Sequence, residues 1–96
     1  MSPINKKKLD LLRVKLDKLD NELLKLIKKR SNLVNEVLKV KIHKKEIIDQ
    51  KRIKFILKKI KIKSIQLKID PKITNRIWKN MIWSFIDYEN RNFKKK

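Results

Sequence analysis

The first half of the chain carries one long helical pattern of apolar residues. Between residues 9 and 40 the seam positions follow alternating steps of three and four: Leu9, Leu12, Leu16, Leu19, Leu23, Leu26, Arg30, Leu33, Val37 and Val40. No Pro or Gly interrupts the run, and sustained heptad spacing is typical of helices that pack lengthwise against one another. The pattern predicts a first helix over about residues 6–41, with a seam roughly 50 Å long at 1.5 Å per residue.

The second half predicts two shorter helices. Residues 42–48 break the rhythm and are expected to form a loop, after which Asp49 is a candidate N-cap for a helix over 50–66. Asp70 followed by Pro71 is the strongest start signal in the chain and predicts a third helix over 71–91. The polar tail 92–96 is expected to fray. The sequence therefore predicts an all-α fold of three helices in a single domain spanning 1–96.

The predicted apolar faces of these two helices are well defined. On the second helix the face comprises Ile53, Ile56, Leu57 and Ile60. On the third it comprises Ile73, Ile77, Trp78, Met81, Ile82, Phe85 and Ile86. Faces of this kind are expected to pack on each other.

The length of the first helix bears on the oligomeric state. A chain of 96 residues cannot fold back over the whole of such a helix. Part of the leucine seam is therefore expected to face a second copy, which predicts an intertwined helical homodimer.

Composition excludes several classes of site. The chain has no cysteine and one histidine, His43, so disulfides, thiol nucleophiles and sites built from several imidazoles are ruled out. We expect neither a metal nor a cofactor. No stretch has the roughly 18 uncharged apolar residues of a membrane-spanning helix, and the start of the chain lacks the apolar region of a secretory signal. A cytoplasmic protein with no membrane partner is predicted.

The net charge of +19, from 29 Lys and Arg against 10 Asp and Glu, has two interpretations. A small basic helical protein that binds nucleic acid is one. The other is biased codon usage, in which A/T-rich codons place lysine at exposed positions. This interpretation is favoured because the lysines are scattered, and because Ala and Gly, which have G/C-rich codons, are absent. Trp78, Trp83 and Phe85 also have core spacing rather than the arrangement of a binding stripe. We expect no specific nucleic-acid partner.

Three charged residues occupy positions where apolar ones are expected. Arg30 lies in the leucine seam, as either a register-setting polar residue or a ligand for an anion. Lys41 follows by eleven residues, close to three turns, so both side chains project from nearly the same face about 16 Å apart along the axis. They could grip opposite ends of one small anion. Glu89 continues the stripe of Ile82 and Phe85, although an exposed Glu at a fraying helix end is the alternative.

Arg13 lies seventeen residues before Arg30, roughly 25 Å along the axis, and cannot reach the same ligand from the same helix. An antiparallel partner helix would bring its own Arg13 beside Arg30. Dimerisation would then complete the pocket.

The spacing of the basic residues resembles that of the all-helical (AroQ-type) chorismate mutases. Sixteen residues separate Arg13 from Arg30, ten separate Arg30 from Lys41, seven separate Lys41 from Asp49, and two separate Asp49 from Arg52. The segments 12–20 and 23–30 also look like the opening helix of that family, and the Asp-Pro start of the third helix matches. The resemblance covers about residues 6–90.

This resemblance implies a homodimer with two shared active sites and an isomerase that converts chorismate to prephenate in aromatic amino acid biosynthesis. By the same resemblance, Arg13 of the partner subunit and Arg30 would hold the carboxylates of the dianionic substrate. Lys41 would donate to a carboxylate and to the ether oxygen, which Glu89 would also face. The remaining implied contacts, near the ring hydroxyl, are Asp49 and Arg52.

Two residues depart from the commoner mutase pattern. Ile53 stands where a Glu often binds the ring hydroxyl, and Phe85 replaces a serine expected on the last helix. Both make the pocket more apolar. The segment 81–86 is similar to the related isochorismate pyruvate lyases, which form salicylate, whereas the ending Asp87-Tyr88-Glu89 is more like a mutase. The lyase activity stays open as the alternative.

Overall fold

The computed structural model describes residues 1–95, and throughout that range the fold is all-α without a strand. Helix α1 spans Pro3–Val40, α2 spans Gln50–Gln66 and α3 spans Pro71–Asn92, with a short 3-10 helix at Lys44–Glu46. The predicted three helices with a much longer first one are confirmed. Helix α1 begins three residues earlier than about residue 6, and α3 ends one residue later than 91.

Both predicted helix starts are confirmed by their capping hydrogen bonds. A side-chain oxygen of Asp49 accepts from the backbone N–H of Arg52 at 3.0 Å. Asp70 accepts from the N–H of Lys72 at 2.9 Å, with Pro71 in the first turn of α3. Each cap satisfies one of the backbone donors that a helix start leaves without a partner.

Helix α2 ends in a turn that contains no glycine. Lys68 takes the left-handed conformation at φ 58°. Its N–H donates to the carbonyl of Ile65 at 3.1 Å, and the N–H of Ile69 donates to that of Ser64 at 2.8 Å. This pair of bonds is the Schellman motif, which usually places Gly at the left-handed position. The turn reverses the chain so that α3 packs against α2.

The chain divides into two compact units, and the boundary falls within α1, after Leu33. The first unit, Met1–Leu33, consists almost entirely of helix, and α1 has no buried residue. Its seam leucines are 54–58% exposed: Leu12, Leu16, Leu19, Leu23 and Leu26. A homodimer could cover this seam, but the dimer stays a prediction.

The second unit, from Val34 onward, holds a small core. Ile47, Ile82 and Ile86 are its buried hydrophobic residues. Half-buried side chains pack around them: Leu38, Ile53, Ile56, Leu57 and Phe93. The end of α1, the following loop, α2 and α3 thus contribute to one cluster.

Two of these core residues correct sequence-based expectations. Ile47, in the segment expected to be a plain loop, is only 3% exposed. It directly follows the 3-10 helix, and its N–H donates to the carbonyl of Lys44 at 3.1 Å. In the tail expected to fray, Phe93 packs on the core, and Asn92 still belongs to α3. Lys96, the last residue of that tail, lies outside the described residues.

The α2–α3 interface contains a buried polar contact. The hydroxyls of Ser64 and Thr74 are 2.7 Å apart, and both residues are less than 10% exposed. The Ser64 hydroxyl also lies 2.6 Å from the carbonyl of Ile60, and that of Thr74 donates to the carbonyl of Pro71 at 3.4 Å. A buried hydroxyl is costly unless it is paired, so this mutual satisfaction fixes the two helices in one register.

The predicted apolar face of α3 is buried only along part of its length. Ile82 and Ile86 lie in the core, while Trp78, Met81 and Phe85 are half-buried. Near the start of the helix, Ile73 and Ile77 are exposed. Apolar surface therefore remains uncovered at that end of the single chain.

Candidate active site

The most shielded ion pair among residues 1–95 joins Lys41 to Glu89. The ammonium nitrogen lies 3.2 Å from Oε1 of Glu89, and the two side chains are only 17% and 7% exposed. The alternative of an exposed Glu89 at a frayed helix end is therefore wrong. Charges withdrawn from water interact more strongly than surface charges, so this pair is held more firmly than the exposed pair of Lys39 and Glu36 at 3.4 Å.

The local structure explains how the two side chains meet. Lys41 directly follows the last residue of α1, and its N–H donates to the carbonyl of Leu38 at 3.3 Å. Glu89 lies in the last turns of α3, three residues after the buried Ile86. A residue three positions beyond a core residue shares its helix face, which turns the carboxylate inward.

A neutral hydrogen bond lies in the same part of the unit. The hydroxyl of Tyr88 donates to Oδ1 of Asn35 at 2.7 Å across 53 residues of sequence. Both residues are half-buried. Sequence reasoning missed this contact. The only signal was a polar Asn close to the apolar seam, and that signal does not identify a partner.

Asp49 and Arg52 lie together at the start of α2. One carboxylate oxygen of Asp49 is engaged by the Arg52 N–H, and both residues are exposed. Lys41 and Asp49 line the same open surface depression. The Arg52 guanidinium carbon lies 5.4 Å from the centroid of the Phe55 ring, within range of a cation–π contact.

Ile53 and Phe85 are both half-buried. Ile53 packs against the cluster of Ile47, Ile82 and Ile86, so it contributes to the core of the unit. Neither side chain carries a hydrogen-bond donor or acceptor. Any hydroxyl group bound next to them would have to find its partners elsewhere.

The first unit carries the other two candidate residues. Arg13 is exposed and lies 3.9 Å from Asp10, a surface pair that contributes little to stability. Arg30 is half-buried in the seam of α1 and has polar or electrostatic interactions of its own. The contact of Arg13 with a second copy stays a prediction.

Two further properties of residues 1–95 concern metals and membranes. The described side chains contain no cluster of three or more His, Cys, Asp or Glu residues that could hold a metal ion. None of the helices in that range is long and apolar enough to cross a membrane.

Comparison with known families assigns the chain to one of them. The model of the family "chorismate mutase type II" matches residues 12–90, most of the chain. The chain therefore belongs to the chorismate mutase type II family, an all-α family whose activity is an isomerisation. The match spans the candidate residues from Arg13 to Glu89. No curated protein and no solved structure matches the chain.

Proposed function

We propose that this chain is a chorismate mutase that rearranges chorismate to prephenate in aromatic amino acid biosynthesis, as a single domain in the cytoplasm. The observation that carries the proposal is the shielded Lys41–Glu89 pair at 3.2 Å, within the segment that the family model matches. One cation and one carboxyl group are thus fixed side by side in a partly desolvated position. A cation fixed in this way can stabilise the negative charge that develops during the reaction.

The reaction is a rearrangement within one molecule. The ether C–O bond breaks while a C–C bond forms between the enolpyruvyl methylene carbon and the ring, with no change in composition. No nucleophile, metal or external proton acceptor is required, so the protein acts through orientation and electrostatics. A protein can lower the barrier by holding the reacting carbons at a near-attack distance.

Arginines are suited to the orienting role. A guanidinium group binds a carboxylate through two parallel hydrogen bonds, which fix the angle as well as the position. In the proposed site, Arg30 and Arg13 of a second copy each bind one of the substrate's carboxylates. Asp49 and Arg52 lie near the ring hydroxyl, beside the apolar surface of Ile53 and Phe85.

Lys41 and Glu89 supply the electrostatic part. As the ether bond breaks, negative charge accumulates on its oxygen, and a preorganised ammonium group lowers the energy of that charge. Glu89 assists only when it carries a proton, since an ionised carboxylate would repel the developing charge. In the free protein Glu89 holds Lys41, and the substrate's carboxylates then compete for the same ammonium group.

The exposed seam supports the shared-site arrangement. Five leucines on one line of α1, each more than half exposed, form an apolar strip that water solvates poorly. Arg13 lies on the same helix segment. A second copy packed antiparallel along this strip covers the leucines. The same packing brings its Arg13 to the shared site.

The second candidate is isochorismate pyruvate lyase activity. There the ether bond breaks while a ring hydrogen moves to the enolpyruvyl carbon, which yields pyruvate and salicylate. The apolar character of Ile53 and Phe85 favours this alternative, because the usual polar contacts of a mutase site are missing at both positions. The same cations would serve both reactions.

Separate incubations with chorismate and isochorismate test the proposal. Prephenate from chorismate, without pyruvate from isochorismate, is the expected result. Pyruvate and salicylate from isochorismate alone would assign the lyase instead. Turnover of neither substrate by a folded dimer would reject both functions.

A further inference from the structure

We propose that the hydrogen bond between Tyr88 and Asn35 positions Glu89 against Lys41, so that Tyr88 and Asn35 are positioning residues for the site. The inference rests on the proposed function for its catalytic consequence. Its structural half, the coupling between the two contacts, does not depend on any substrate.

The geometry points to this role because the two contacts are neighbours on α3 and both reach the end of α1 or the residue that follows it. Tyr88 and Glu89 are consecutive on α3, so their side chains leave the helix about 100° apart. Their partners, Asn35 and Lys41, are separated by six residues, or about 9 Å of helix rise. Two anchors that differ in direction and height fix both the rotation of α3 about its axis and its sliding along α1. A single contact would restrict these two motions less.

The two contacts differ in how they respond to an anionic ligand. The Lys41–Glu89 pair, at 3.2 Å, is charged, and a carboxylate entering the site competes with Glu89 for the ammonium group. The Tyr88–Asn35 bond, at 2.7 Å, is neutral on both sides and offers no charge to such a ligand. The Tyr88–Asn35 bond therefore persists when the Lys41 ammonium group binds a substrate carboxylate. It then keeps the Glu89 carboxyl group in place beside the ether oxygen of the substrate.

The ring of Tyr88 also lies near Arg91, whose guanidinium carbon is 6.0 Å from the ring centroid. The Nε of Arg91 donates to Asp87 of the same helix at 2.9 Å. Tyr88 itself is half-buried. Its hydroxyl is therefore the group that links this part of α3 to α1.

The first test measures the coupling without substrate. A double-mutant cycle of Lys41→Met and Glu89→Gln, followed by denaturant unfolding, gives the interaction between the two charged groups. We expect that interaction to fall at least about twofold when the cycle is repeated in a Tyr88→Phe background, because the carboxylate is no longer held in place. An unchanged interaction would overturn the proposal whatever the protein catalyses.

The second test measures turnover. Tyr88→Phe and Asn35→Ala should each lower kcat about tenfold with a much smaller change in KM, since a displaced carboxyl group affects the transition state more than binding. The double variant should be no worse than either single one, and Asn35→Asp, which keeps an acceptor oxygen, should recover part of kcat. Additive losses, or losses confined to KM, would contradict the proposal.

Ser64→Ala is the matched control for both tests. It removes another 2.7 Å interhelical hydrogen bond, but one between α2 and α3. We expect it to lower stability while leaving the Lys41–Glu89 interaction and kcat close to those of the original chain. If Ser64→Ala reproduced the effects of Tyr88→Phe, the role of Tyr88 would be purely structural. If the coupling fell but no variant acted on chorismate, the proposed function would fail and the positioning contact would stand.

Discussion

Lys41 and Glu89, which lie 48 residues apart in sequence, meet at 3.2 Å with both side chains largely shielded from water. Lys41 begins the segment after α1, and Glu89 ends the buried stripe of α3. This contact links the residue that follows α1 to α3, the last helix of the second unit. In the proposed function, Lys41 is the cation that stabilises the negative charge of the breaking ether bond.

Glu89→Gln is expected to keep activity, whereas Glu89→Ala is expected to lower kcat/KM on the order of 10². The amide of glutamine can donate a hydrogen bond to the ether oxygen, and alanine cannot. The measurement is kcat/KM for chorismate in the original chain and in both variants. Glu36→Ala, which removes an exposed carboxylate of α1, is the control and should keep the original rate. Equal rates for Glu89→Ala and the original chain would remove Glu89 from the mechanism.

A mixture of two inactive variants is expected to regain activity if the sites are shared between subunits. Arg13→Ala and Arg30→Ala should each be inactive, yet a hybrid dimer carries one site with both arginines intact. Random exchange makes half of the dimers hybrids, so about a quarter of all sites should recover. The measurement is chorismate turnover after the two variants are unfolded and refolded together.

The control for this exchange is a mixture of Arg30→Ala with Lys41→Met. These two residues belong to the same subunit's part of the proposed site, so every site in the hybrid keeps one defect. No recovery is expected. Recovery in this control, or none in the Arg13 and Arg30 mixture, would argue against the shared pocket.

Ile47→Ala is expected to destabilise the protein by about 2–4 kcal/mol, because the side chain is 3% exposed and its loss leaves a cavity in a small core. The neighbouring Ile48→Ala removes the same atoms from a side chain that is 44% exposed. It should cost less than about 1 kcal/mol. Denaturant unfolding of both variants makes the comparison. Equal effects would mean that the 43–48 segment does not pack as described.

The helices themselves were largely predictable from sequence, because their signals are local. The seam of α1 is periodic over many turns, and α2 begins at the residue that follows its predicted cap. The Asp70-Pro71 pair sets the start of α3 in the same way. Only some helix ends differ from the predicted bounds, by one to three residues.

The core and the site were less predictable because they depend on how the helices meet. Ile47 lies in a segment without periodicity, and its burial follows from where the loop returns to the core. The hydrophobic staple position before the Asp49 cap is Ile48 rather than Ile47, and Ile48 is 44% exposed, so that motif gives no signal for the burial of Ile47. The Asn35–Tyr88 bond has no local signal at all.

Helical spacing singled out Lys41 as a companion of Arg30 and Glu89 as an acid on an apolar stripe. Only the resemblance of the basic residues brought Lys41 and Glu89 to the same substrate oxygen. Neither argument predicted that the two side chains contact each other, since that contact depends on how α3 packs near the end of α1. The shielded position of Lys41, at 17% exposure of its side chain, is what separates it from its neighbours.

The role proposed for Lys41 is to accelerate the rearrangement of chorismate. The direct measurement is the rate of prephenate formation by the original chain, by Lys41→Met and by Lys39→Met, which alters an exposed lysine two residues away. We expect turnover by the original chain and by Lys39→Met, and a loss on the order of 10²–10³ in kcat for Lys41→Met. Equal rates for the two variants, or no prephenate from the original chain, would contradict it.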